Sequence, residues 1–181
     1  MKRPHFAKCL MTAVGLAVLA GCSSSVVRVQ HSCTLNTRSR WVLLPFLNHS
    51  ETPQANERVE AMLGPILRAK GIGSLDAYLH PKQDETTLVA SDHQRFDAAL
   101  GWAKSQNFDY ALTGSVEEWR YKSGLDGDPA VGVTVRIFDI ATGKVFWSVS
   151  GARTGSGSDS TSATALKLLD TLAQELDVGT H

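Results

Sequence analysis

The chain has 181 residues, 43% of them hydrophobic, with 18 basic and 18 acidic side chains and a net charge of +0. That length and composition suit one domain with a buried core, and the charge balance lacks the basic excess a nucleic acid requires. Only three cysteines are present, which excludes a dense disulfide framework.

Lys2, Arg3 and Lys8 form a basic start, and Leu10 to Ala20 an apolar run. The run is shorter than the roughly 20 residues a spanning helix needs, so it reads as a signal peptide. It ends Leu19-Ala20-Gly21-Cys22, which resembles the bacterial lipobox. The resemblance implies cleavage after Gly21, a thioether-linked diacylglycerol on Cys22, and acylation of the freed amine, palmitate being the usual chain. No other cofactor is implied. Two or more acyl chains anchor stably where one does not. Ser23 stands where an aspartate would resemble an inner-membrane retention signal, so the expected location is the periplasmic face of the outer membrane. Removing residues 1–21 leaves 160 residues with 15 basic and 18 acidic side chains, a net charge of −3. With Cys9 removed and the sulfur of Cys22 consumed, Cys33 is left without an intrachain partner. It is either a tolerated thiol near the tether or an intermolecular bridge in an oligomer.

Residues 22–40 read as the lipidated cysteine and a flexible, Ser/Thr-rich tether, with a short edge strand at Val26–Val29. Such a tether reaches roughly 20–25 Å. Residues 41–178 read as one globular domain. Trp41 to Phe46 is an apolar strand; Thr52 is the expected helix N-cap and Pro53 the first helical position. The helix buries Ala55, Val59, Met62, Leu63, Ile66 and Leu67, with a kink or break expected at Gly64-Pro65. A strand is expected within 73–80. Ser91 and Gln94 have capping-box spacing at the start of a second helix, whose stripe is Phe96, Ala99, Leu100 and Ala103. Residues 109–121 form a strand with Leu112, Gly114 and Val116 on one face. Residues 131–152 form a hairpin turning at Ala141-Thr142-Gly143-Lys144, with Val145, Trp147 and Val149 on one face of its return strand. The last helix carries Ala165, Leu166, Leu169, Leu172, Ala173 and Leu176. This order predicts an α/β (α+β-like) fold: a mixed sheet ending in an antiparallel meander, with helices packed on it.

Catalytic chemistry is not legible. Ser91-Asp92-His93 are adjacent in sequence and cannot point at one another as a triad must. The histidines left after cleavage are scattered, without metal-ligand spacing. Gly155-Ser156-Gly157 lacks the Lys-Ser/Thr partner of a phosphate-cradling loop. Two other features stand out. Trp119 and Trp147 lie near hairpin ends, where an indole meets lipid or a partner, or else packs the core. Glu117, Glu118, Asp126, Asp128 and Asp139 fall within one antiparallel segment, with Asp126 and Asp128 on the turn SGLDGDP. A ring of copies would add such charges into a negative mouth.

The lipobox, the segment LLPFLNHSETPQANERVEAML, the strand FDYALTGSVEEWRYKSG and the hairpin VRIFDIATGKVFWSVSGARTG together resemble the PelC-like outer-membrane lipoproteins of Pel exopolysaccharide export. The resemblance covers most of residues 41–176, and the fold is similar to TolB N-terminal and CsgG-like periplasmic domains. It implies a non-catalytic homo-oligomeric ring of dodecamer size beneath a PelB-like β-barrel, touching outer-membrane lipid and guiding a cationic, galactosamine-rich polysaccharide during biofilm formation. On that basis Cys22 is the lipidation site, Trp147 and Trp119 face the membrane, and Asp126, Asp128, Glu117 and Glu118 line the funnel. The loop TGSGSDS holds no aromatic, a departure if the family's membrane contact lies there. Rival readings are a lipoprotein activator of a peptidoglycan synthase, which generally needs a longer tether, and a curli-secretion-like pore subunit, which needs amphipathic membrane hairpins.

Overall fold

The computed structural model describes residues 26–30, 35–36, 38–78, 91–123 and 127–179. Its strands are β1 (Val26–Gln30), β2 (Leu35–Asn36), β3 (Trp41–Leu43), β4 (Leu47–Asn48), β5 (Leu75–Ala77), β6 (Tyr110–Tyr121), β7 (Pro129–Asp139), β8 (Val145–Thr154) and β9 (Val178–Gly179). Its helices are α1 (Ala55–Ala69), α2 (Asp92–Ser105) and α3 (Thr161–Gln174). The main sheet runs β1-β8-β7-β6-β3-β5, with β4 also pairing β6, while β2 and β9 make a separate parallel ladder. Parallel pairs at β3–β5 and β3–β6 join an antiparallel meander of β6, β7 and β8. This is the mixed sheet with a C-terminal meander that the order of apolar runs predicts.

The sheet buries residues on both faces. Leu112, Val116, Val131, Val133, Val135, Ile137 and Val149 join Val59, Leu63 and Leu67 of α1 and Leu168, Leu169 and Leu172 of α3 in the larger core. On the other face Ala99 and Ala103 of α2 pack with Val42, Leu44, Phe108, Ala111 and Phe138. Gly114 is dictated by close approach: a Cβ there would lie 1.9 Å from the Thr134 carbonyl oxygen and 2.5 Å from the Phe46 ring.

Several local expectations change. Thr52 does not cap α1; its hydroxyl donates to the Trp119 carbonyl, and the cap is Gln54 at φ 58° with no side-chain hydrogen bond. The helix continues through Pro65 without a break. Pro65 and Ala61, four residues earlier, are both exposed, so water can serve the carbonyl that the ring leaves without an N–H. Leu166 is 51% exposed and Leu168 is buried instead, because positions 165, 168, 169, 172 and 173 make the continuous stripe. A register shift between Ile137 and Phe138 leaves Val145 exposed, while Trp147 and Val149 stay inside. Ser91 and Gln94 form the expected capping box. The edge strand expected at Val26–Val29 is present as β1, paired antiparallel to β8. Part of the segment read as free tether therefore belongs to the main sheet.

Candidate functional site

The pair Glu117-Glu118 owes its geometry to a β-bulge. The β6–β7 register shifts between Val116 and Glu118, so strict alternation fails and two successive side chains emerge together. Gly132 opposite has no side chain to oppose them: a Cβ built on it would lie 3.5 Å from the Glu118 Cβ and 3.6 Å from the Glu117 Cβ. After the bulge, Trp119 turns inward and is 2% exposed.

The other wall of the site is the segment after β4. Phe46 N donates to Glu60 Oε1, and Asn56 Nδ2 donates to the Phe46 carbonyl. Asn48 N donates to Asp92 Oδ2, Asn48 Nδ2 donates to the Thr52 carbonyl, and Asn48 Oδ1 accepts from Ser50 N and Oγ. His49 N donates to the Val116 carbonyl at 2.9 Å. These bonds bring His49, Ser50 and Glu51 against the bulge, forming with Glu117, Glu118, Trp119 and Arg120 an open cleft of about 570 Å³.

Three carboxylates in this cleft face one guanidinium and one imidazole. Partial burial works to raise the Glu117 pKa, but hydrogen bonds from Ser115 and His49 and the charges of His49 and Arg136 outweigh it. Its carboxyl therefore titrates below the ordinary carboxylate value. Ser115 Oγ donates to Glu117 Oε1 at 2.5 Å, and His49 Nδ1 lies 3.2 Å from Oε2. Glu118 pairs with Arg120 Nε at 2.8 Å. Anionic charge in an open polar cleft suits an ammonium-bearing ligand. Among the described residues no group of three His, Cys, Asp or Glu side chains could hold a metal ion.

The structure brings two of the expected acidic residues together. Glu117 and Glu118 share the cleft. Asp128 is half-buried at the neighbouring turn, where its carbonyl accepts from Lys122 N. Asp126, Cys22 and Cys33 lie outside the described residues. Trp119 and Trp147 are corrected: they are 2% and 3% exposed and belong to the larger core, so neither indole presents a surface to lipid. The bulge turns the first inward, and pairing with Ile137 holds the second on the core face. Ser91 and Asp92 are spent on capping and on Asn48 and Asn56. His49 was not legible as a site residue, because it meets Glu117 only through β4–β6 pairing across 68 positions.

A mixed α/β domain with an open acidic cleft is the class these features define. The lipoprotein GNA1162 from Neisseria meningitidis has the same fold, at 19% identity and TM-score 0.56 over 76% of this chain and 96% of its own. The PelC dodecamer from Paraburkholderia phytofirmans is 34% identical, with TM-score 0.71, over 87% of this chain and 100% of its own. A point variant of that dodecamer in another crystal form gives 33% identity, 86% and 100% coverage and TM-score 0.73. The chain belongs to the PelC family. No protein-family model matches it, and no curated protein matches it.

Proposed function

We propose that this chain is a non-catalytic outer-membrane lipoprotein of exopolysaccharide export. Anchored through Cys22, copies assemble into a closed periplasmic ring that guides a cationic, galactosamine-rich polymer to a PelB-like β-barrel. The observation that carries the reading is likeness to a protein crystallised as a dodecamer, extending over 87% of this chain. The acidic cleft supports it: Glu51, Glu117 and Glu118 exceed the local positive charge, and repeated around a ring they would attract a polycation. Asp128, at the neighbouring turn, adds to that charge, and Asp126, outside the described residues, is proposed to line the same path.

The first test is native mass and negative-stain imaging of the lipidated protein, in detergent and in lipid. A closed ring is expected. A monomer in both settings would overturn the ring. It would not by itself favour a peptidoglycan-synthase activator, because only Ser23, Ser24 and Ser25 separate Cys22 from β1, too short a leash to reach across the periplasm. Replacing Cys22 by Ser should release most of the protein from the outer membrane, as fractionation would report; unchanged tight anchoring would refute lipidation there.

A further inference from the structure

We propose that His49 is a proton-operated competitor for Glu117: a neutral imidazole leaves the cleft to an ammonium group, and a charged one takes that group's place. The proposal rests on the polymer-binding reading of the cleft and goes beyond it by naming what regulates the site.

The backbone fixes His49 at the bulge. Leu47 and Asn48 pair with Ser115 and Val116, and His49 N then donates to the Val116 carbonyl at 2.9 Å. The Asn48 side chain ties the same segment to the Thr52 carbonyl. From that position His49 Nδ1 lies 3.2 Å from Glu117 Oε2, with both side chains half-exposed. Ser115, buried beneath them, donates through Oγ to Glu117 Oε1. One carboxylate oxygen is thus committed to the sheet and the other to the imidazole. An incoming ammonium meets an anion whose second oxygen already has a donor.

The charges around the pair leave the imidazole proton as the variable. Glu51 of the loop after β4 faces the cleft, as do Glu117, Glu118 and Arg120 of β6. Arg120 is spent on Glu118. Arg136 of β7 acts on Glu117, and Asp92 of α2 meets this segment through Asn48 N. Arginine stays charged throughout the working range, and the donors around Glu117 keep its carboxyl ionised there. Histidine is the side chain whose charge changes between about pH 5 and 8. With the ring neutral, three carboxylates face one guanidinium; with it charged, they face two cations. Nδ1 donates to Oε2 in both states, so the charge is added at Nε2 without moving the ring. An ammonium that replaces this charge beside Glu117 releases the Nε2 proton to solvent, and no other bond forms or breaks. Binding and proton release are linked, and acid works against uptake.

The test is calorimetric titration of a galactosamine oligomer into the full-length lipidated protein at low salt, wild type beside His49→Gln, near pH 8 and near pH 5.5. Glutamine keeps an amide donor for Glu117 and cannot take up charge. Comparing the two proteins at each pH cancels titration of the oligomer's amines and of Glu60, which both share. Between these pH values wild-type affinity should fall about three- to fivefold further than that of the variant, the size of an exposed charge pair. In two buffers of different ionisation enthalpy, wild type should release a fraction of a proton per bound site that the variant does not. His49→Lys, charged at both pH values, should bind as weakly near pH 8 as near pH 5.5 once referred to the glutamine variant. A histidine that only shapes the loop would shift affinity equally at both pH values and release no proton. That result, or tight binding by His49→Lys, overturns the proposal. Binding that depends on Glu117 and Glu118 but not on the His49 proton overturns this proposal alone. No binding at either pH, or binding untouched by Glu117→Gln with Glu118→Gln, overturns the polymer-binding reading of the cleft and this one with it.

Discussion

Two glutamates set the residue scale, and burial separates them. Glu117 is half-exposed, and its donors hold it ionised. Glu60 is largely buried, and its pKa rises to about 7. Desolvation is the main cause, helped by the charges of Glu57 and Asp92; the bond from Phe46 N and the Arg95 charge oppose it. The folded state therefore holds the Glu60 proton more tightly than the unfolded chain, whose ordinary value is 4.5. The stabilisation is complete below 4.5 and is lost as pH rises through about 7. Its size is on the order of 3 kcal/mol across that window. Glu60→Gln keeps an acceptor for Phe46 N and removes the buried charge. It should raise the melting temperature above neutral pH and flatten its pH dependence; an unchanged profile would refute the assignment. In the cleft, Glu117→Gln with Glu118→Gln should weaken binding of a galactosamine oligomer roughly five- to tenfold, since loss of exposed charge pairs costs about 1 kcal/mol. Calorimetry at low salt would measure it, and equal affinity would remove the cleft from the polymer path.

At the scale of elements, the sheet answers to sterics as much as to hydrophobicity. Gly114→Ala forces a methyl group into the Thr134 carbonyl and the Phe46 ring. Overpacking at such a site costs about 1–3 kcal/mol or more, which should appear in urea unfolding without a change in the m-value. Trp147→Ala should cost about 3–5 kcal/mol, as expected of a core residue rather than a lipid contact. Much of this level was legible. Alternation marked β6, β7 and β8, Ser91 and Gln94 marked the start of α2, and apolar spacing marked three helices. What sequence could not yield were the departures from period: the bulge at Glu117, which turns Trp119 inward, and the shift at Phe138, which exposes Val145. Alternation counted through a bulge assigns every later residue to the wrong face. The cleft suffered similarly, since its acidic half is local in sequence while His49 arrives by long-range strand pairing.

For the whole molecule, the decisive quantity is how cleft charge behaves when copies are arranged around an axis. A closed ring needs two different surfaces of each subunit to meet with a rotation that closes; the likeness to a dodecamer makes that geometry the expectation. Screening limits an isolated cleft to about 8 Å of influence at physiological ionic strength. A monomer therefore attracts one or two amino sugars weakly. If the clefts of a ring faced one lumen, a single polymer chain would engage several in succession, and each contact would raise the effective concentration for the next. Affinity should then grow with oligomer length for the ring and hardly at all for the monomer, and the length advantage should disappear at high salt. Titrating galactosamine oligomers of increasing length into ring and monomer fractions measures both slopes. Parallel slopes would mean that the clefts act independently and face away from a common path. A steeper slope for the ring, abolished by Glu117→Gln with Glu118→Gln, would tie the bulge in β6 to transport through the assembled lumen.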